Sequence, residues 1–259
     1  MAFRWFRYIL GVLAGLGVAG APAVTAAEEI RSEYSVSLLG LPVAYLSFVT
    51  VLDGDEYSIS GDLTTSALAD IIEKTRGSAR VSGTVGRERY LAAQYEVSYT
   101  SGDETYRTEM ELKGGNVQSA VNTPAQKTEP ADWVPLKKEH TKSVLDPLSS
   151  LVVPAGNEPC PRTLEIFDGQ SRIDLVLAPK DVRPYSTEGF SGDAMVCSIR
   201  FVPRAGYRKG SSAIRYLEKQ DGMEVWFARH PQGDFHAPVY AKIPTKIGPV
   251  VVAATRFGG

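Results

Sequence analysis

The sequence has little of several residue types on which common protein chemistries depend. Its 259 residues include only 2 Cys and 3 His, too few for the usual Cys and His clusters that bind structural zinc. The 28 Lys and Arg are balanced by 30 Asp and Glu, so the basic excess that nucleic-acid binding requires is missing. These shortages exclude a zinc-finger-like module and a general nucleic-acid binder.

Motifs for catalysis and cofactor binding are also missing. Beyond residue 26 there is no phosphate-binding loop, no Gly-x-Gly-x-x-Gly and no calcium-loop pattern. The string Gly189-Phe190-Ser191-Gly192 has the wrong spacing for the nucleophile of a serine hydrolase, and its neighbours predict a turn. We therefore predict no catalytic residue and no cofactor, and we expect the protein not to be an enzyme.

Residues 1–26 have the pattern of a secretory signal peptide. Arg4 and Arg7 precede a charge-free apolar stretch, which ends in small residues at Ala26 and Ala27. The alternative is a membrane anchor, but this stretch is short and rich in Gly and Ala, whereas a spanning helix needs about 20 apolar residues. We expect cleavage, export to the periplasm and no transmembrane anchor in the mature chain.

The two cysteines fit an oxidising compartment. Cys160 and Cys197 are far apart in sequence and form no Cys-x-x-Cys motif. An even cysteine count in an exported protein predicts a disulfide bond. A pair of metal ligands is the alternative, but no His lies beside either cysteine.

Alternating apolar and polar residues dominate the mature chain and predict β-strands. Tyr34, Val36 and Leu38 alternate with serines, and Asp53-Gly54 then turns the chain into a second alternating run. Further turn signals recur at 101–104, 114–116, 168–169, 221–222 and 244–249. This density predicts a mainly β fold, in which an antiparallel meander forms a strongly curved sheet or an incomplete barrel with one or two short helices.

Two segments have apolar residues at helical spacing, Thr64–Lys74 and Ser143–Val153. We expect the first to lie against the concave face of the sheet. Pro, Lys, Glu and Thr are frequent at 122–142, which predicts a connection. The prediction is a single β-rich domain at 27–259, with a first half at 27–121 and a second half at 143–259.

Candidate binding residues come from the first of these helices and from one loop. Leu68, Ile71 and Ile72 share its apolar face, so we predict that they line an apolar ligand site. His230, Asp234 and His236 form the only candidate metal cluster. Pro231 and Gly233 between them favour a polar loop instead, so we predict no metal.

Several strings resemble a known family: 41–44 (LPVA), 146–151 (DPLSSL), 160–169 (CPRTLEIFDG), 172–175 (RIDL) and 203–207 (PRAGY), the last shortly after Cys197. The family is an exported envelope family of proteobacteria, mainly alphaproteobacteria, described only as a domain of unknown function. The resemblance covers nearly the whole mature chain and implies no catalytic residues. By fold analogy alone, curved sheets of this kind are similar to periplasmic lipoprotein carriers.

These observations leave three hypotheses for function. The first is a non-enzymatic periplasmic protein of the cell envelope that binds an apolar or amphipathic ligand, such as a lipid, or a lipoprotein partner. The second is a structural envelope protein with a filled sheet interior that acts through protein contacts. An uncharacterised enzyme is the third. The interior of the folded sheet separates the first two, because only an open interior can hold a ligand.

Overall fold

The computed structural model describes residues 28–71, 73–125 and 129–258. The predicted signal peptide at 1–26 and the candidate Ile72 lie outside these described residues. Within them, no helix is both long and apolar enough to cross a membrane.

Strands make up most of the described chain, which confirms the mainly β prediction. They are β1 (Glu28–Leu38), β2 (Leu41–Asp53), β3 (Glu56–Thr65), β4 (Thr75–Val85), β5 (Tyr90–Ser101), β6 (Glu104–Lys113), β7 (Asn116–Thr123), β8 (Trp133–Val134), β9 (Val153–Pro154), β10 (Arg162–Phe167), β11 (Arg172–Thr187), β12 (Phe190–Ala205), β13 (Tyr207–Arg208), β14 (Glu224–Arg229), β15 (Phe235–Thr245) and β16 (Gly248–Phe257). The helices are α1 (Ala67–Asp70) and α2 (Ser212–Leu217), with 3-10 turns at Lys138–Thr141 and Ser149–Leu151.

One large antiparallel sheet contains nearly all of these strands. Its order is β10-β11-β12-β14-β15-β16-β1-β2-β3-β4-β5-β6-β7, with β9 attached to β15. Strand β1 lies between β2 and β16, so the first and second halves of the chain share a single sheet. The sheet curves around its own core as the meander prediction requires.

The two ends of this sheet approach each other without pairing. Leu145 lies beside the edge strand β10 and forms a parallel bridge to Ile166. The neighbouring Val144 N–H donates to the Gly115 carbonyl at the β6–β7 turn, at 2.7 Å. The segment that links the two halves therefore occupies the seam, and the described strands form an incomplete barrel.

Local turn chemistry explains why most of the predicted hairpins form. Gly54 has φ +58° in the β2–β3 turn and Gly102 has φ +59° in the β5–β6 turn, a conformation that costs glycine little. The turn at 168–169 likewise joins β10 and β11. The predicted hairpin at Asp221-Gly222 is wrong, because Ile214–Leu217 belongs to α2, where the Ser211 hydroxyl accepts from the Ile214 N–H at 3.4 Å.

The helix predicted at Thr64–Lys74 is also wrong in its extent and position. Strand β3 continues through Thr65 and β4 begins at Thr75, so too few residues remain to form a helix that crosses the sheet. Only the single turn α1 is helical, and the Ser66 hydroxyl caps it by accepting from the Ala69 N–H at 3.2 Å. Contacts to β2 hold this turn at the end of the sheet and not on its concave face.

The second predicted helix, Ser143–Val153, forms an extended strip with one 3-10 turn instead. The Asp146 carboxylate accepts from the backbone N–H groups of Leu148 and Ser149, at 2.9 and 3.0 Å, and this local capping competes with a longer helix. Val153 then pairs with His236 on β15. Leu148 and Val152 are buried in the main core, so this segment, and not the first, packs inside the sheet.

Candidate functional site

An apolar cavity of about 330 Å³ lies inside the curved sheet. Both halves of the chain and the internal strip contribute to its wall, and no charged residue is found among its described lining residues. They are Ser32, Tyr34, Leu46, Phe48, Thr50, Ile59, Leu148, Ser150, Leu151, Val152, Leu164, Leu175, Leu177, Ile199, Val225, Phe227, Phe235, Ala237, Pro238, Ala241, Ile243 and Val252. The volume is at the lower end of the range of about 300–1,000 Å³ found for small-molecule sites.

Strand alternation positions these side chains. Leu175 and Leu177 are two residues apart on β11 and therefore point to the same face, and Leu164 on β10 pairs with Leu175. On the other side of the cavity, Tyr34 on β1 pairs with Leu46 on β2. The wall is thus made from the inward-facing positions of neighbouring antiparallel strands.

His230 lies behind Ser32, at the end of the cavity that we call the floor. Its ring stacks on the Phe235 ring, with centroids 5.1 Å apart, and lies tilted against the Phe257 ring, with centroids 4.5 Å apart. Burial lowers the pKa of His230 to about 4, so the ring is neutral at physiological pH. The backbone N–H of Gln232 donates to its Nδ1 at 3.2 Å, which leaves the proton on Nε2.

Ser32 provides the contact between this imidazole and the cavity. Its Oγ lies 3.5 Å from Nε2 of His230. Because Nε2 carries the proton, the imidazole acts as a donor toward Ser32 and is not placed to remove the Ser32 proton as a general base.

Hydroxyl groups supply the polar part of the wall. The Tyr34 hydroxyl donates to the Pro238 carbonyl at 2.9 Å, and the Ser150 hydroxyl donates to the Pro147 carbonyl at 2.8 Å. Burial raises the pKa of Tyr34 well above its usual value, which keeps the phenol neutral. Thr50 is the fourth hydroxyl, and its side chain is 6% exposed.

The opposite end of the cavity is more open. Ile243 lines the cavity near the β15–β16 turn and is 36% exposed. Leu39 in the β1–β2 turn and Ile247 in the β15–β16 turn are exposed at the same end of the sheet. We call this end the mouth, and it carries aliphatic side chains on its rim.

The predicted ligand-lining residues do not line this cavity. Leu68 is 52% exposed and Ile71 is 82% exposed, and neither contributes to the wall. The third candidate, Ile72, lies outside the described residues. The correction follows from the short β3–β4 connection, which keeps α1 at the end of the sheet. Period-two runs such as Leu175 with Leu177 were the signal that could have identified residues of this wall.

The predicted disulfide is present between Cys160 and Cys197, whose Cα atoms are 6.1 Å apart. Both cysteines are buried in a second hydrophobic cluster with Leu177 and Val225, two residues that also line the cavity. The bond links the residues just before β10 to the middle of β12.

The weak metal candidates are not brought together. His236 pairs with Arg229 across the β14–β15 hairpin, whereas His230 points inward beside Phe235. Asp234 forms an ion pair with Arg229 at 2.9 Å. Burial first, and then the charges of Arg229 and Arg162, lower the pKa of His236. Among the residues that the structure describes, no group of three His, Cys, Asp or Glu side chains could hold a metal ion.

A larger trough of about 570 Å³ lies on the outside of β3–β7. Its wall includes Ser60, Arg80, Glu96 and Glu109, and Arg107 pairs with both glutamates at 3.2 and 2.8 Å. Exposed ion pairs of this kind are typical of a solvated sheet surface. The internal cavity is the stronger candidate because it is apolar and enclosed by the sheet.

Comparison with known proteins shows the family of this chain, which is described only as a protein of unknown function. The chain belongs to DUF3108, described as a protein of unknown function, which matches residues 33–255. It is also similar to a structure described as a beta-barrel-like protein of domain of unknown function DUF1849 from Brucella abortus, with 8% identity and a TM-score of 0.49 over 88% of this chain and 96% of that chain. No curated protein matches it.

Proposed function

We propose that this protein is an exported, non-enzymatic protein of the periplasm that binds the aliphatic part of a lipid or of a lipidated partner. The observation that carries the proposal is the apolar cavity inside the sheet. The internal strip fills part of the concave face and leaves this volume open. In a structural protein with a filled core we would expect side chains to occupy this space, because protein interiors contain few voids.

The chemistry of the wall sets the kind of ligand. A charged group in this cavity would lose its hydration without gaining a counter-charge, which is costly. The buried part of the ligand is therefore uncharged and largely aliphatic. Any charged group of the same molecule remains at the mouth, where Ile243 is partly exposed.

The floor favours binding over catalysis. Ser32 and His230 are the closest approach to a nucleophile and a base at the cavity. The Gln232 N–H occupies Nδ1, so the neutral imidazole offers Ser32 a proton instead of accepting one. A binding role needs only the shape and polarity of the wall.

Export is proposed from the pattern of residues 1–26 and is compatible with the Cys160–Cys197 bond. We expect the protein in the periplasmic fraction with a mature N-terminus at Ala27 or Glu28. Edman or mass-spectrometric N-terminal sequencing of that fraction is the measurement. A soluble product that retains Met1 would contradict export.

Ligand binding is tested with diphenylhexatriene, a hydrocarbon that fluoresces in apolar surroundings, together with native mass spectrometry of gently purified protein. Wild-type protein should bind the probe. Ala241→Trp places a large ring in the cavity and should weaken binding at least tenfold, at a cost in stability of about 1–3 kcal/mol from overpacking.

The matched control is Ala178→Trp on β11, since Ala178 is exposed and does not contribute to the wall. It should bind like wild type. If wild-type protein binds no probe and co-purifies with no lipid, the cavity is not a ligand site. The structural alternative then replaces this proposal.

A further inference from the structure

Thr50 differs from the other hydroxyl groups of the cavity wall. Ser32, Tyr34 and Ser150 each have a hydrogen-bond partner. Among the described residues, none hydrogen-bonds the Thr50 hydroxyl, although Thr50 as a residue is only 6% exposed. The fully buried side-chain atoms without a partner in the described part of the chain are found at other residues, so the Thr50 hydroxyl faces the open space of the cavity, where a bound molecule can hydrogen-bond it.

Thr50 lies on the inner face of the sheet, toward the end opposite the mouth. It lies on β2 opposite Ile59 on β3 and Ile30 on β1, both of which are buried core residues. Leu41, at the mouth end of the same strand, is nine residues away, or roughly 30 Å along an extended strand. A polar group that bonds Thr50 is therefore far from the mouth and lies toward the other end of the sheet, where β2 ends at Asp53.

We infer that Thr50 hydrogen-bonds an uncharged oxygen on the buried part of the ligand, so that the cavity selects aliphatic molecules carrying a hydroxyl or carbonyl group. The inference rests on the proposed function and adds a ligand class to it. An ionised carboxylate is excluded because no described residue of the wall carries a positive charge. The neutral His230 behind Ser32 supplies none either.

The test compares Thr50→Val with wild type, since valine keeps the shape and removes the hydroxyl. Diphenylhexatriene has no oxygen, so its affinity should not change. 1-Dodecanol, measured by displacement of this probe, should bind about fivefold more weakly to Thr50→Val. Thr84→Val, at an exposed position on β4, should match wild type for both molecules.

Each outcome has a distinct meaning. Equal weakening of both molecules would mean that the substitution disturbs packing, and unchanged dodecanol affinity would mean that water satisfies Thr50. Either result overturns the inference and leaves the proposed function standing. If diphenylhexatriene does not bind wild-type protein, both fail together. A thermal unfolding curve of Thr50→Val that matches wild type confirms that the variant folds.

Discussion

Two short connections, Ser66–Ile71 and Val144–Val153, lie in opposite environments although both are rich in aliphatic residues. The first is a single capped turn whose Leu68 and Ile71 face solvent. The second runs from the seam into the interior that the curved sheet encloses, where Leu148 and Val152 are buried with Tyr57 and Tyr90 of the first half. Aliphatic side chains are therefore exposed to solvent in the first segment and buried in the core in the second.

Anchoring explains the difference between these segments. Ser66 donates two hydrogen bonds to β2. Its hydroxyl donates to the Pro42 carbonyl at 2.8 Å, and its backbone N–H donates to the Val43 carbonyl at 2.9 Å. Asp70 is paired with Arg76 at 3.0 Å. These bonds hold the first segment at the sheet end.

The internal strip is anchored from inside the sheet. Its Ser149 hydroxyl bonds the Tyr57 hydroxyl at 2.6 Å, with both groups buried. Val144 bonds the β6–β7 turn and Val153 pairs with β15. The strip thus links β3, β6–β7 and β15, which are not neighbours in the sheet order.

The largest expected difference between the two segments is in the free energy of unfolding. Leu148→Ala removes a buried side chain from the core and should destabilise the protein by about 3 kcal/mol. Leu68→Ala, the matched change on the exposed turn, should stay within about 0.5 kcal/mol of wild type. Urea unfolding followed by tryptophan fluorescence measures both. Equal losses would mean that α1 packs against a surface and that the two environments are not distinct.

The hairpins of this fold could be predicted because their signals are local. Asp53-Gly54 and Asp168-Gly169 carry their turn preference in two residues, and alternation on either side fixes which face is buried. The disulfide was predictable for a similar reason, since only two cysteines were present to pair.

The cavity could not be predicted because its wall depends on contacts between distant parts of the chain. Pairing of β1 with β16 brings Tyr34 beside Ala254, more than 200 residues away, and no local pattern encodes that choice. Helical spacing at Ser143–Val153 correctly indicated burial but not conformation, because Asp146 caps a 3-10 turn and Val153 is drawn into the sheet. Thr50 belongs to no motif, and His230 stood out in the sequence only as a metal candidate, so their positions beside the cavity follow from burial and strand pairing.

The last prediction compares the two carboxylates that stabilise the turns of these segments. Burial raises the pKa of Asp146, whose Oδ2 atom is buried with no hydrogen-bond partner. Hydrogen bonds from Arg76, and then from Thr65, lower the pKa of Asp70. The two groups should therefore give stability profiles of opposite sign with pH.

For Asp146 the folded state holds a proton that the unfolded state releases above its ordinary pKa of about 3.9. Its contribution is fully present below that pH and is lost as the pH rises through the folded-state pKa. As the pH falls, Asp70 takes up its proton at a higher pH in the unfolded state than in the folded state. Its contribution to stability is therefore present above about pH 3.9 and is lost as the pH falls through the folded-state pKa.

The free energy of unfolding is measured from urea unfolding curves between about pH 3 and pH 8. Asp146→Asn should remove the loss of stability with rising pH, and Asp70→Asn should remove the loss with falling pH. Tyr57 and Tyr95, which face Asp146, have raised pKa values and stay neutral across this range. Parallel profiles for wild type and Asp146→Asn would show that the Asp146 carboxylate reaches water, and that the internal strip is less tightly enclosed than its burial indicates.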